Sequence, residues 1–588
     1  MYAPSKHAAL ALLCLPLFVA CGAAEDGRSR FDVEADAGAG DAATPPPLGD
    51  SGVPAATRRC SADGHAILDG TGAVVERCGG TRGCDDATFT CIDACQAAAA
   101  QAHAVGCEYY ATYMEQVLAT TLGQTPCFAA IVANTWDTPA HLSVDGFAST
   151  FAMEQFTRLP VGSGDAIRYE PYSADRGLAP GQVAVVFLSG EEGAAPLCPV
   201  PSAIPRGTMV NGSGIGSSFR IRSDVPVVAY EINPYGGGAA HTTGASLLLA
   251  TGAWGTNYVA ANAYAHDLAD PSLNIVAMAD DTKVTMVPRA DIVGGNGVPA
   301  GRANVPWTIT LQQGQQVQLS QPAELTGSVV QSSKPVGLMA GHACARIPVS
   351  NPYCDHAEQM IPQVKALGSE YVGVMHLPRA GEPGLWRVVG VVPGTKLTWT
   401  ASSKVGGPST LGAGETAELL TDTPFVVKSQ DDAHPFLLFS YMIGNQWKPA
   451  LDGIGDADFV LGVPPKQWMN QYVFYTDPTY PSSHVVLVRG KSEGAFRDVT
   501  LDCAGVVRDW APVGDFEYAR VELTRKDFER VGDCASGRHE IKSEAPFGLW
   551  VWGWGSPDAP GTRDVSYGYP GGMNVQPINR VYVPPVPR

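Results

Sequence analysis

The sequence predicts an all-β protein built of tandem antiparallel β modules, about 100 residues each and sandwich-like, preceded by a small disulfide-rich module. Three observations predict it. Charged residues make up 16% of the 588 positions while Gly (66) and Pro (46) are abundant, a composition that favours short strands and turns over long solvent-exposed helices. Apolar and polar residues alternate with period two over short runs that end at Gly, Pro, Asp or Ser. From Cys107 onward the chain repeats itself. A β-propeller with about two blades per repeat is the alternative architecture. The formal charge of −19, from 39 basic and 58 acidic residues, argues against nucleic acid as a partner, because phosphate binding needs clustered Lys and Arg.

In chain order, Lys6 and His7 precede an apolar run from Ala8 to Ala20. The run is too short to span a bilayer and has the length of a signal-peptide core, so residues 1–20 are expected to be a signal peptide. It ends Leu17-Phe18-Val19-Ala20-Cys21. This resembles a bacterial lipobox, with Phe18 where Leu is usual, and makes Cys21 the expected lipidated residue; an ordinary secretory signal with a chance Cys is the alternative. Residues 21–59 are rich in Ala, Gly, Asp and Pro, with few side chains to bury, and are expected to be a lipid-anchored, disordered tether. A coil of that length reaches on the order of 35 Å. The expected location is therefore the bacterial envelope, at the outer membrane or cell surface, with the lipid as the sole membrane contact.

Of 14 cysteines, Cys14 lies in the signal and Cys21 would carry lipid. The remaining even number in an exported chain reads as disulfides. Six fall in 60–107, too short a stretch to build much core without such staples, so residues 60–106 are predicted to be a Cys-rich module of open connectivity. Zinc is the competing use of these cysteines. Asp93 is placed to cap a short Ala-rich helix through 96–104. Pairing within a repeat predicts Cys344–Cys354, Cys503–Cys534 and Cys127–Cys198.

The repeats are carried by three elements. A Ser-x-x-Pro segment followed by an apolar run recurs at Ser223/Pro226, Ser332/Pro335, Ser429/Pro435 (with an insertion) and Ser543/Pro546, the prolines 109, 100 and 111 residues apart. A strand start bearing Tyr recurs at Tyr109, Tyr258, Tyr371, Tyr472 and Tyr582, and short alternating strands begin near Thr282, Thr395 and Asp498. These give four repeats at about 107–255, 256–369, 370–470 and 471–588. Pro fixes φ and donates no ladder hydrogen bond, so each Pro is expected at the start of a strand or at a bend, with the Ser hydroxyl stabilising the turn before it. Tyr230, Met339, Phe439 and Trp550, each four residues after its Pro, are expected in the core.

In the second repeat, Leu325-Thr326-Gly327, Lys334-Pro335-Val336, Gly341-His342-x-Cys344, Cys354-Asp355-His356 and Glu358-Gln359 follow one another, with Asp280-x-Thr282-x-Val284-Thr285 nearby. This series resembles the IgGFc-binding protein N-terminal domain family over roughly Cys107 to Arg588, and the chain is similar to its myxobacterial-type lipoprotein members. The resemblance implies extracellular protein binding. It supplies no binding residue that carries over position by position.

Two groups of residues have chemical potential. His342, Cys344, Cys354 and His356 could form a tetrahedral zinc site, with Glu358 adjacent; a Cys–His nucleophile is a further option. The expected reading in an exported chain is instead a Cys344–Cys354 disulfide with both histidines as hydrogen-bonding partners. Trp552 and Trp554 alternate with the core candidate Trp550, and they are the candidate binding surface, suited to stacking on sugar rings. Asp452, Asp456 and Asp458 could serve calcium but read more simply as a solvated acidic loop. Gly212 to Gly216 precedes a strand, so phosphate binding is unsupported. The leading expectation is a surface-tethered, non-enzymatic binding or adhesion protein that recognises an extracellular protein or glycan, with no cofactor. A metal- or Cys-dependent extracellular hydrolase using His342–Glu358 and a structural envelope component are the alternatives.

Overall fold

The recurring unit is a two-sheet sandwich organised by one long bent strand. In the first repeat this strand is Phe219–Asn233, in the second Val329–Ala345, in the fourth Gly537–Trp554. In the third it is divided into Phe425–Ser429 and Phe436–Met442. The computed structural model describes residues 58–585, apart from Ala62, 119–122, Gln124, His241 and Asp267. The signal peptide, Cys21 and nearly all of the predicted tether therefore lie outside the described residues. The chain is nearly all β, as its composition predicts.

The first half of each bent strand pairs with an opening strand that carries the repeated Tyr: Gly106–Ala111, Gly255–Val259, Glu370–Gly373 and Met469–Thr476. On its other side lies a hairpin strand: Leu142–Gly146, Thr282–Val287, Thr395–Ala401 or Val499–Leu501. The second half pairs with a different set. One partner is a buried central strand (Phe128–Asn134, Pro271–Ala277, Leu385–Gly390, Ser482–Arg489). The other is a closing strand (Gly244–Leu248, Asp355–Ile361, Asp458–Leu461, Ser566–Pro570). The bent strand thus crosses from one sheet to the other, the way a sandwich makes a corner. The sheets are antiparallel throughout and not divided into blades.

The prolines mark the crossing. Pairing with the opening strand shifts register between Arg222 and Val227, between Gln331 and Val336, and between Lys542 and Phe547. Both expected placements occur: a strand begins after Pro435, and the other three prolines sit at the bend of a continuous strand. A bulge leaves one residue out of the ladder, so the missing amide proton costs nothing there. Ser223 and Ser543 accept from the amides of Val225 (3.4 Å) and Ala545 (3.3 Å). Ser332 is buried with no hydrogen-bond partner for its hydroxyl, so the turn role does not extend to all four.

The Tyr residues close the same joint. Tyr109 donates its hydroxyl to the Val227 carbonyl (2.5 Å), Tyr258 to Val336 (2.6 Å), Tyr371 to Phe436 (2.8 Å) and Tyr472 to Phe547. Each acceptor is the residue after the repeat's Pro. Each hydroxyl also accepts from the amide three residues earlier, of Gly106, Gly255, Gly368 or Met469. All four rings are buried. The expected fifth position, Tyr582, is exposed and outside any strand.

The four closing strands pack in a cycle. Gly244–Leu248 and Asp458–Leu461 each lie against both Asp355–Ile361 and Ser566–Pro570. A strap at 573–583 binds all four opening regions: the Met573 carbonyl takes the Ala104 amide (2.9 Å), the Asn574 amide meets the Gln467 carbonyl (2.8 Å), Asn579 donates to the carbonyls of Val364 (2.7 Å) and Leu367 (2.9 Å), and the Val583 amide meets Asn257 (2.9 Å).

The N-terminal module holds three disulfides, Cys60–Cys84, Cys78–Cys91 and Cys95–Cys107. Asp93 caps the helix Ala94–Gln101 by accepting from the Gln96 amide (3.0 Å). The helix stops short of the expected residue 104 because Ala102 takes a left-handed conformation, φ 50°.

Candidate functional site

The 342–359 run is the sequence's densest set of chemically versatile side chains, and it lies where the bent strand of the second repeat turns into its closing strand. Cys344 and Cys354 are bonded to each other, so neither thiolate is available to zinc or as a nucleophile, and the four-ligand and Cys–His readings are corrected. His342 accepts the Cys344 amide at Nδ1 (3.0 Å) and sets its Nε2 3.2 Å from the Ala265 carbonyl oxygen. Gly341 is required by close approach: a Cβ there would meet the Ala357 carbonyl oxygen at 2.9 Å and Met114 at 2.2 Å.

Asp355, His356, Glu358 and Gln359 face the neighbouring repeats. The Asp355 carboxylate accepts the amides of Thr243 and Ser566 (3.0 Å), from the first and fourth repeats, and of His356 (2.9 Å). Gln359 donates to the Ala245 and Gly568 carbonyls, both at 2.9 Å. One side chain thus ties three closing strands. His356 Nε2 lies 3.1 Å from Glu358 Oε2 and 3.2 Å from Asn233 Nδ2. Burial holds the Glu358 carboxyl well above its ordinary range and depresses the His356 imidazole to about 3, so burial disfavours the charged form of each group. Nearby Glu231, which accepts the Thr112 amide (2.9 Å), is pushed up by burial and by Glu358. Asp355, His356 and Glu358 are 0% exposed. Solvent does not reach them, and they hold modules together rather than meet a substrate.

The tryptophan surface is also corrected. Trp552 and Trp554 are 2% and 5% exposed, and Trp550 is buried with them. The segment after the third opening strand covers them: His376 lies 5.2 Å from Trp552 and 5.8 Å from Trp554, and the Arg379 guanidinium sits 5.9 Å from the Trp554 ring. Arg379 is paired with Glu382 at 2.5 Å. His484 stacks 4.4 Å from Trp554 and accepts the Leu377 amide. The acidic loop differs as well, because Asp456 and Asp458 are 1% and 0% exposed and only Asp452 meets solvent. Cys503–Cys534 and Cys127–Cys198 are bonded. Among the described residues, Asp502, Cys503 and His539 converge within 4.8 Å, but Cys503 is spent in its disulfide. Gly214–Ser217 is a strand.

What sequence reasoning missed is the loop face between bent and closing strands, at 234–243, 346–354, 443–457 and 555–565. The last three of these loops bond to one another: the Gly444 amide donates to the Ile347 carbonyl (2.7 Å), Asn351 to the Gly444 carbonyl (3.1 Å), and Arg563 pairs with Asp452. Val349, Tyr353 and Trp447 are 41%, 49% and 40% exposed on two of them. The signal was present as aromatics in Gly/Pro/Asn-rich stretches, but only the assembled ring brings the stretches together.

The sequence profile of the family described as "IgGFc binding protein" matches residues 244–553, just over half of the chain. Over 273 residues the chain is 25% identical to the IgGFc-binding protein of Homo sapiens. That stretch is 45% of this chain and 5% of the human protein, so the chain spans a small fraction of its relative's length.

Proposed function

Since the chain belongs to the IgGFc-binding protein family, we propose that it is a surface-tethered, non-enzymatic binding or adhesion protein that recognises an extracellular protein or glycan. One observation carries this. The 342–359 group of catalytic-type residues is sealed inside a module junction, while apolar and aromatic side chains stand out on adjoining loops. Loops on a rigid β scaffold are the usual carriers of recognition, and exposed aromatics are the usual anchors of interfaces. The recognition face in this proposal is the loop set around Val349, Tyr353 and Trp447. The tether through Cys21 remains the expectation of the sequence, and Cys21→Ser should release the protein from membranes.

The test is capture. The Cys21→Ser chain, immobilised, is offered envelope fractions, mucin-type glycans and, because of the human relative's name, IgG Fc. Saturable capture of one class, reduced at least tenfold in a Tyr353→Ala/Trp447→Ala double variant with unchanged melting, supports the proposal. Capture of none, or capture indifferent to that variant, overturns the assigned face.

A further inference from the structure

A groove of about 610 Å³ opens where the first repeat meets a turn of the second. Its floor is a sheet face of the first repeat. Arg220 of the bent strand stands opposite Tyr110 on one side and Asp145 on the other, and Arg222 stands opposite Glu108. Directly opposed residues share a face of an antiparallel pair, so these side chains lie together. The walls are the hairpin tip at 146–150 and the turn Gln313–Gly314 of the second repeat. Both arginines grip the Asp145 carboxylate. Arg220 donates from Nε to Oδ1 (2.9 Å) and from Nη2 to Oδ2 (3.0 Å), and Arg222 donates from Nη2 to Oδ2 (2.9 Å). The set is fixed and not exhausted, because a guanidinium has five N–H donors and a carboxylate about four acceptor sites. Arg222 is 45% exposed.

Two departures from ordinary chemistry meet at this groove. The Tyr110 hydroxyl on its floor is buried with no hydrogen-bond partner, its polar neighbours being Arg220 and Gln313; such orphaned groups are uncommon in folded proteins. At the hairpin tip, Gly146 pairs with Ser149, which leaves Phe147 and Ala148 as the two residues of the turn. Both take left-handed conformations, φ 53° and 58°. A two-residue turn of this hand normally uses Asn-Gly, and a bulky residue with positive φ is strained. The Phe147 ring rests on Phe219, 4.9 Å away between centroids, is half-buried, and lines the groove beside the arginines.

We propose that this groove binds a neutral sugar unit of a glycan, stacked on the Phe147 ring and held through neighbouring hydroxyls by Asp145, Arg220 and Arg222. A sugar ring presents an apolar C–H face and pairs of adjacent hydroxyls. An aromatic ring suits the first. A planar carboxylate beside planar guanidinium groups, locked by their mutual bonds before the ligand arrives, suits the second. Arg220 and Arg222 are balanced by Asp145 and Glu108 on the same face, which favours an uncharged ligand over a phosphate, a sulfate or a metal ion. The volume lies within the range of about 300–1,000 Å³ usual for small-ligand sites, and the hydroxyls of Ser149, Thr150 and Ser217 at the rim offer further bonds. The inference names a second site with its own ligand class, and it does not rest on the loop face around Tyr353 and Trp447.

The experiment uses the Cys21→Ser chain. Lactose, cellobiose, maltose and N-acetyllactosamine are offered singly, with 3′-sialyllactose and a heparin disaccharide as charged counterparts, and binding is read by calorimetry and saturation-transfer NMR. The expected result is saturable binding of at least one neutral disaccharide at millimolar affinity or tighter, with the charged sugars weaker. Phe147→Asn/Ala148→Gly installs the residues that this turn prefers; it should weaken that binding at least fivefold and melt no lower than the native chain. Arg222→Ala leaves the Arg220–Asp145 pair in place and should also weaken binding at least fivefold; it carries the test if the turn variant melts lower or fails to fold. Saturable binding of no neutral disaccharide overturns the proposal, as does binding confined to the charged sugars or binding that the folded variants retain within fivefold. Tyr353→Ala/Trp447→Ala should leave disaccharide binding unchanged, so the groove and the loop face fail separately; loss of disaccharide binding in that variant places the sugar elsewhere and overturns the groove.

Discussion

The second and third repeats solve the same corner differently. The second runs its bent strand unbroken through 17 residues, Val329–Ala345, and fixes the exit with the Cys344–Cys354 disulfide. The third interrupts the strand with an exposed segment before Pro435 and carries no cysteine. Yet Tyr371 reaches the Phe436 carbonyl as Tyr258 reaches Val336. Strand continuity is therefore dispensable, and the hydroxyl bridging an upstream amide to the residue after the proline is the shared device. In place of a disulfide the third repeat uses buried polar contacts to its neighbours. Arg387 pairs with Glu418 of its own repeat and Glu324 of the second, over the Tyr264 ring, and His376 and Arg379 pack on the fourth repeat's tryptophans.

That contrast can be broken in three ways. The largest effect should come from removing the second repeat's disulfide. Cys344→Ser/Cys354→Ser frees a loop of sequence separation 10 and should cost about 3 kcal/mol, measured by denaturant unfolding. An equal loss at the third repeat's signal on reduction would contradict the division between the two. Next, Tyr258→Phe and Tyr371→Phe should each cost about 1–3 kcal/mol, the penalty of leaving a buried amide and carbonyl without their shared partner. Equal losses sharpen the equivalence; a near-zero value at Tyr371 breaks it. The most conditional effect, absent at neutral pH, is acid sensitivity. Burial depresses the His376 imidazole to about 4. Its contribution is fully present above about pH 6.5, and it is lost as pH falls from there toward 4, by about 1.4 kcal/mol per pH unit. Melting temperatures of native chain and His376→Gln should converge across that window. Parallel curves would show that His376 does not titrate on unfolding.

The repeats were legible because Pro and Tyr fall at fixed places in each unit and their chemistry is local. The β class was legible from composition and alternation. The junction was not. Gln359 bonds to Gly568 and Tyr230 to Gly571, separations over which no pattern in the chain carries information. Trp552 and Trp554 were misplaced for the same reason. Alternation tells which side chains share a face of a strand, not whether another repeat covers it. Asp456 and Asp458 sit among glycines that resemble a solvated loop, and loops from two other repeats bury them. The 342–359 set was thus found as residues, with its disulfide and structural histidines expected, while the tryptophan face was misjudged, since burial decides between a binding surface and architecture.

The strap at 573–583 gives the folding of these repeats an order. A polypeptide appears from its N-terminal end as it is made, so each repeat can form its own corner in turn. The four opening regions share a common tie only after residue 583 has emerged and found Asn257. A chain halted earlier, even one with four finished sandwiches, lacks that tie. Its opening strands are then held by their own repeats alone, which leaves them freer to open locally.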